Sequence, residues 1–140
     1  MTEKTRGRLT TRTMAMRSDT NPAGDIFGGW VLSQMDLAAG ICAGQRAQGR
    51  VVTVAVDSMS FIRPVKVGDI LGVYTEVAKT GRTSMSIHVE CWVRRDRIGK
   101  REKVTEATFK FVSLDADGTP KPLPNPEDLP SYVLEAHNEF

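Results

Sequence analysis

The chain has 140 residues, 40% hydrophobic and 26% charged, which suits one domain with a single core and excludes a disordered chain or a coiled coil as the main body. A formal net charge of +2 on scattered lysines and arginines is too weak and too dispersed for a nucleic-acid surface, although a small anion needs only a few local cations. No apolar run approaches the ~20 residues of a membrane span, and Met1 to Arg6 leads into no apolar segment, so neither a membrane anchor nor a secretory leader is expected and the protein reads as cytoplasmic.

Arg8 to Met16 alternates weakly through Leu9, Thr11, Thr13 and Ala15 and reads as an edge strand. Ser18 to Asp25 is rich in turn formers and reads as a loop. An apolar helix follows, from about Phe27 to Arg46, and Gly49 breaks it. Val51 to Ile62 reads as a long strand stopped by Pro64; β-branched residues and apolar side chains on both faces make it a central one. Ile70 to Lys79, Thr83 to Arg94 and Val104 to Leu114 are three further strands. Gly81-Arg82 marks the first hairpin between them, and the charged stretch Arg94 to Lys103 the second. Met85, Ile87, Val89, Cys91 and Val93 form one face of their strand, with Ser84, Ser86, His88 and Glu90 on the other. The domain is expected over residues 8–124. Residues 125–140 form a Pro-rich tail, either extended on the surface or mobile. Cys42 and Cys91 stand in apolar segments and read as reduced core residues, and no CxxC or HExxH motif suggests a metal.

Between Gly28 and Gly44 the only charge is Asp36. Leu32, Asp36, Ala39 and Ala43 recur at helical spacing, so the carboxylate lies in an apolar stripe of a helix that is apolar nearly all round. Burying a carboxylate costs several kcal/mol unless it is paired or hydrogen-bonded. Such a group is either a structural Asp held by backbone donors or a functional one. One curled sheet covers one side of the helix; the rest must meet something else, most simply a second copy across a two-fold axis.

The helix opens on Gly28-Gly29, whose free N–H groups can bind anions or developing oxyanions and whose lack of side chains lets a substrate approach. A tight turn explains the glycines equally well. Gly28 and Asp36 are ~12 Å apart along one helix, too far for one reacting group, so a composite site across a dimer is expected. Asn21, beside Pro22, could orient a water or the carboxylate, or merely shape the turn.

Asn21-Pro22-Ala23-Gly24-Asp25-Ile26-Phe27-Gly28-Gly29-Trp30, followed by Ser33-Gln34-Met35-Asp36, resembles the signature of hotdog-fold acyl-CoA thioesterases of the YciA type. The likeness continues through Gly49-Arg50-Val51-Val52-Thr53-Val54, Phe61-Ile62-Arg63-Pro64-Val65, Val67-Gly68-Asp69, Thr83-Ser84, Thr105-Glu106-Ala107 and Phe109-Lys110, covering roughly Arg8 to Pro124. The resemblance implies an α+β hotdog fold, in which a long central helix is wrapped by a curved antiparallel sheet, and pairing into a double-hotdog dimer, three dimers commonly forming a hexamer. It implies hydrolysis of short- to medium-chain acyl-CoA thioesters to CoA and a carboxylic acid. Asp36 would serve as general base or nucleophile, the Gly28 and Gly29 amides would polarise the carbonyl and Asn21 would help. No metal or other cofactor is implied, coenzyme A being part of the substrate.

Arg63, Lys79, Arg82 and Lys110 are candidates for the CoA phosphates, with Thr83 and Ser84 as hydroxyl and backbone donors, although each cation alone is more often a solvated surface charge. Trp30, Met35, Met59 and Phe61 are candidates for an acyl pocket, with core packing the competing explanation. Histidine-dependent dehydration fits poorly, since His88 lies on a strand and His137 in the tail, away from the helix start. No GxSxG elbow supports a serine hydrolase. A non-catalytic acyl-CoA sensor is the remaining alternative, and it has no use for Asp36.

Overall fold

The computed structural model describes residues 4–134; His137 and the rest of the tail's end lie outside the described residues. The order is β1 (Arg8–Met14), α1 (Gly28–Ala47), β2 (Val51–Asp57), β3 (Ile70–Thr80), β4 (Ser84–Arg94), β5 (Arg101–Ser113) and a short α2 (Ser131–Leu134). The five strands form one antiparallel sheet in the order β1-β3-β4-β5-β2. The sheet curls around α1, and this is the hotdog arrangement.

The expected alternation sets the core. Val73, Met85, Ile87, Val89 and Phe109 point inward at 1% exposure or less. They meet Val31, Met35, Ala38, Ala39 and Ala43 of the helix. Alanines on the helix let it lie close to the large side chains of the sheet. Each such large side chain contributes about 1.5–3 kcal/mol by leaving water. The helix ends at Ala47, where Gln48 adopts a left-handed conformation (φ 52°, ψ 42°), one residue before the glycine expected to break it.

Two expectations about β2 fail. The strand ends at Asp57 rather than Ile62. It lies at the edge of the sheet, pairing with β5 alone, and not in the centre. Its valines are not buried on two faces: Val52, Val54 and Val56 are between 41% and 56% exposed. The helix is likewise buried on one side only, leaving Leu32, Leu37 and Ile41 between 37% and 57% exposed. β2 and α1 thus carry more apolar surface than one chain can cover, which is what made β2 look central.

The end of the domain and the described part of the tail are tied to the body of the chain. Leu129 is buried. The Arg8 guanidinium donates to the Tyr132 carbonyl at 2.9 Å, and Arg46 donates to that of Pro124 at 2.8 Å. Cys42 and Cys91 are free and buried, and burial pushes both thiols up from their ordinary value.

Candidate active site

The approach to α1 is fixed by backbone bonds. Ile26 donates to the Val65 carbonyl and Phe27 to that of Asp19. Asn21 organises the turn before them: its side-chain oxygen accepts from the Ala23 and Asp25 amides at 3.0 and 3.1 Å. Asn21 therefore acts on the turn in this chain. Phe27 occupies the N-cap and supplies no side-chain hydrogen bond, and the first turn carries no acidic residue. The carboxylate of Asp25 is turned away to Lys66, at 2.6 Å.

The Gly28 and Gly29 amides consequently find no acceptor among the described residues, and both residues are exposed. Ser, Thr, Asp or Asn usually closes such a start and is worth ~1 kcal/mol. Leaving it open presents two N–H donors and the positive end of a 20-residue helix to whatever approaches. The glycines are not forced by the chain's own packing. Neither has a positive φ; a Cβ on Gly29 would meet nothing within 4 Å, and one on Gly28 would only touch the Phe61 ring at 3.4 Å. A tight turn therefore does not account for them.

Beside this start lies a cleft of about 320 Å³ lined by Ile26, Gly28, Val31, Phe61, Ile62, Arg63, Pro64 and Val65. It separates the acyl-pocket candidates. Phe61 lines the cleft at 48% exposure, whereas Met35 is wholly core. Trp30 and Met59 are half-buried and pack against that core.

Asp36 is half-buried rather than sealed inside, because the stripe that contains it is covered on one side only: Ala39 and Ala43 are buried, Leu32 is not. Among the described residues the most deeply buried carboxylates are Asp69 and Glu90, at 2% and 4% exposure. Asp69 accepts from the Lys66 amide and pairs with Arg95, and so closes the turn at Gly68. Asp36 accepts one side-chain hydrogen bond, from Thr53 Oγ1 at 2.6 Å. Thr53 was missed as a site residue; the signal was there, since it is the only hydroxyl in the run Val51 to Val56.

The candidate CoA cations fall into two places. Lys79 and Lys110 both pair with Ser86, on neighbouring strands of the sheet's outer face. Arg82, Thr83 and Ser84 form or flank the adjoining turn, where the Gly81 amide donates to the Ser84 carbonyl. Arg63 is elsewhere: its guanidinium donates to the Lys103 carbonyl at 2.7 Å, seven residues along β5 from Lys110, or ~23 Å of extended strand.

His88 belongs to a network on the outer face that spacing motifs did not reveal. Its Nε2 lies 3.0 Å from Glu90 and 3.3 Å from Glu106, and the three residues bring potential ligand atoms within 4.8 Å of one another. The Lys103 ammonium stands among them, 3.0 Å from Glu106 and 3.7 Å from Glu90. The cluster is an ion-pair network with its cation supplied by the chain. Burial alone would raise the Glu90 carboxyl. Hydrogen bonds from His88, the Trp92 indole and the Arg6 amide, with the Lys103 charge, outweigh it and hold the group below its ordinary value.

Residues 23–100 match the model of the thioesterase superfamily. The chain belongs to that family. It is 53% identical over 121 residues to the acyl-CoA thioester hydrolase YciA of Salmonella typhimurium, covering 84% of this chain and 91% of that one. Among solved structures it is similar to the hexameric thioesterase y2039 of Yersinia pestis, at 50% identity and a TM-score of 0.82 over 85% of this chain and 97% of that one. It is also similar to HI0827, a hexameric broad specificity acyl-coenzyme A thioesterase, at 47% identity and a TM-score of 0.85 over 94% and 89%.

Proposed function

We propose that this chain hydrolyses short- to medium-chain acyl-CoA thioesters to free CoA and a carboxylic acid, in a site that two copies build together. The observation that carries the reading is the uncapped helix start. Two exposed glycine amides have no acceptor in their own chain among the described residues and no packing reason to be glycine, while a carboxylate held by Thr53 lies ~12 Å further along the same helix.

A two-fold axis would bring the Gly28-Gly29 end of one helix to Asp36 of the other. The exposed valines of β2, its free edge, and Leu32, Leu37 and Ile41 are the surfaces such pairing would cover. Three pairs would give a hexamer, the state named for the two solved relatives.

In this site the thioester carbonyl accepts from the two amides, which stabilise the charge that develops on its oxygen. Asp36 either takes a proton from water or attacks the carbonyl itself. In the first case the water oxygen forms the new C–O bond. In the second, an acyl-aspartate forms and water cleaves it. Either way the C–S bond breaks and the thiolate leaves as CoA. Thr53 keeps one Asp36 oxygen hydrogen-bonded and so fixes which way the other faces. The cleft at Phe61 suits the acyl chain; Lys79, Arg82 and Lys110, with Thr83, Ser84 and an Arg63 from the other copy, suit the phosphates. The chemistry is that of a carboxylate, water and amides, with CoA as part of the substrate. Two buried free thiols suit a reducing compartment such as the cytoplasm, and no described helix is long and apolar enough to cross a membrane.

Asp36→Asn is the test, read as thiol release from a panel of acyl-CoAs. Hydrolysis should fall 10²- to 10⁴-fold with CoA binding and oligomeric state unchanged. Full activity in that variant would move the chemistry elsewhere. A wild-type protein that binds acyl-CoA but releases no thiol at any chain length would be a sensor.

A further inference from the structure

On the outer face of the sheet, at the end away from Lys79 and Lys110, Arg12, Arg94 and Arg101 line one small depression together with Gly72, Tyr74 and Trp92. The strand register explains the gathering: Arg12 stands opposite Gly72 and Gly72 opposite Trp92, while Arg94 faces Arg101. Gly72 keeps the floor open, since a Cβ there would stand 3.3 Å from Leu9 and 3.6 Å from Tyr74.

Three features set these arginines apart from ordinary surface charges. First, none pairs with a carboxylate among the described residues. The neighbouring acids are already engaged: Asp69 and Glu102 with Arg95, Glu90 and Glu106 with Lys103, and Glu76 with Arg6. Second, two of the guanidiniums are held. Arg101 donates to the Tyr74 hydroxyl at 3.2 Å and lies 5.7 Å from the Trp92 ring centroid; Arg94 donates to the Gly99 carbonyl at 2.8 Å. A held guanidinium loses less entropy when it binds an anion. Third, the depression measures about 40 Å³. That is above the ~10–15 Å³ a site needs to admit one water-sized group, so the depression suits a small anion or the end of a larger one.

We propose that this depression is a binding site for a phosphoryl group, presented by free phosphate or by the terminal phosphate of a nucleotide. It is separate from Lys79 and Lys110, since Arg101 lies nine residues from Lys110 along β5, or ~30 Å of extended strand; of the candidate CoA cations, Arg63 is the one near it, bonded to the Lys103 carbonyl two residues from Arg101. The proposal does not depend on the hydrolytic reading.

The test is calorimetric titration of the full chain at low salt with inorganic phosphate and, separately, with ADP. It compares wild type, an R12A/R94A double variant and a K79A/K110A double variant. Affinity should fall at least about tenfold in R12A/R94A and change less than about twofold in K79A/K110A. Equal affinities for phosphate and ADP make the free ion the ligand, whereas markedly tighter ADP binding makes it the nucleotide; both support the site. R12A/R94A alters exposed side chains outside the catalytic proposal, so retained thioester hydrolysis serves as the folding control. No saturable binding of either compound at about 10 mM, or binding lost in K79A/K110A and intact in R12A/R94A, overturns the proposal.

Discussion

If Thr53 positions Asp36, removing its hydroxyl without changing the side chain's shape should damage turnover and little else. Thr53→Val does this: valine keeps the branched outline and the strand preference of threonine. What is lost is one hydrogen bond of 2.6 Å to a carboxylate oxygen. Such charge-assisted bonds carry about 1.5–3 kcal/mol net. Asp36 is half-exposed in the single chain, so water can replace part of that, and the lower half of the range applies unless a second copy seals the site. The expected fall in kcat is therefore about 10- to 50-fold. KM should move less than about threefold, because Thr53 orients the reacting group and does not hold the substrate. Unfolding free energy should fall by no more than that one bond is worth, about 1.5–2 kcal/mol, so that the variant stays folded under assay conditions. Thr53→Ser, which keeps the hydroxyl, should recover most of the rate. The assay is steady-state thiol release from one well-bound acyl-CoA, alongside chemical denaturation of all three proteins. A Thr53→Val enzyme with wild-type kcat, or a serine variant as slow as the valine one, would refute the positioning role.

Gly29→Ala should raise thermal stability slightly, since the added Cβ meets nothing within 4 Å and alanine is the better helix former by up to ~1 kcal/mol. It should nevertheless slow hydrolysis at least tenfold, because the methyl crowds the carbonyl's path to the amides; a Gly29→Ala enzyme both more stable and fully active would remove the amides from the mechanism. Replacing Leu37 or Val54, 57% and 56% exposed, by Asp should shift the protein to monomers in sedimentation and abolish turnover with them. Active monomers would sink the composite site. Glu90 gives a pH signature. Its folded carboxyl is held below the ordinary value of 4.5, so its contribution to stability is present above that pH and fades as pH falls through the lower folded value. The acid limb of a melting-temperature profile should flatten in Glu90→Gln, and equal limbs in both proteins would show that the network carries no such linkage.

Local pattern was enough for the helix and for β1, β3 and β4, because each is decided by its own residues. Alternation on β4 assigned every inward side chain from Met85 to Val93 correctly, and turn residues placed the Gly81 hairpin. β5 starts at Arg101, three residues before its first apolar side chain, because hairpin pairing with β4 recruits charged residues that carry no periodic signal. At the site, the motif around Asn21, Gly28, Gly29 and Asp36 was readable as residue types. Thr53 was not singled out, because a threonine among valines is also what an ordinary strand contains. The outer-face network was illegible for a different reason: His88, Glu90, Lys103 and Glu106 come from two strands, and only the register between them brings the side chains together.

The misplacement of β2 has a physical cause that bears on function. Periodicity reports how much apolar surface a segment must hide, not which chain hides it. Val52, Val54 and Val56 demand cover on more than one side, and the sequence alone reads that demand as a central strand. The fold answers with a sheet edge and leaves the demand standing, next to a helix whose Leu32, Leu37 and Ile41 are left in the same state. Asp36 sits at the border of that uncovered ground, and the Gly28 amides open toward solvent at the other end of it. A carboxylate and an amide pair that cannot meet within one helix thus lie on a surface that energetics favour burying against another copy. The strand misread as central and the uncovered face of α1 are two consequences of one fact: β2 and α1 carry more apolar surface than the described residues of one chain hide.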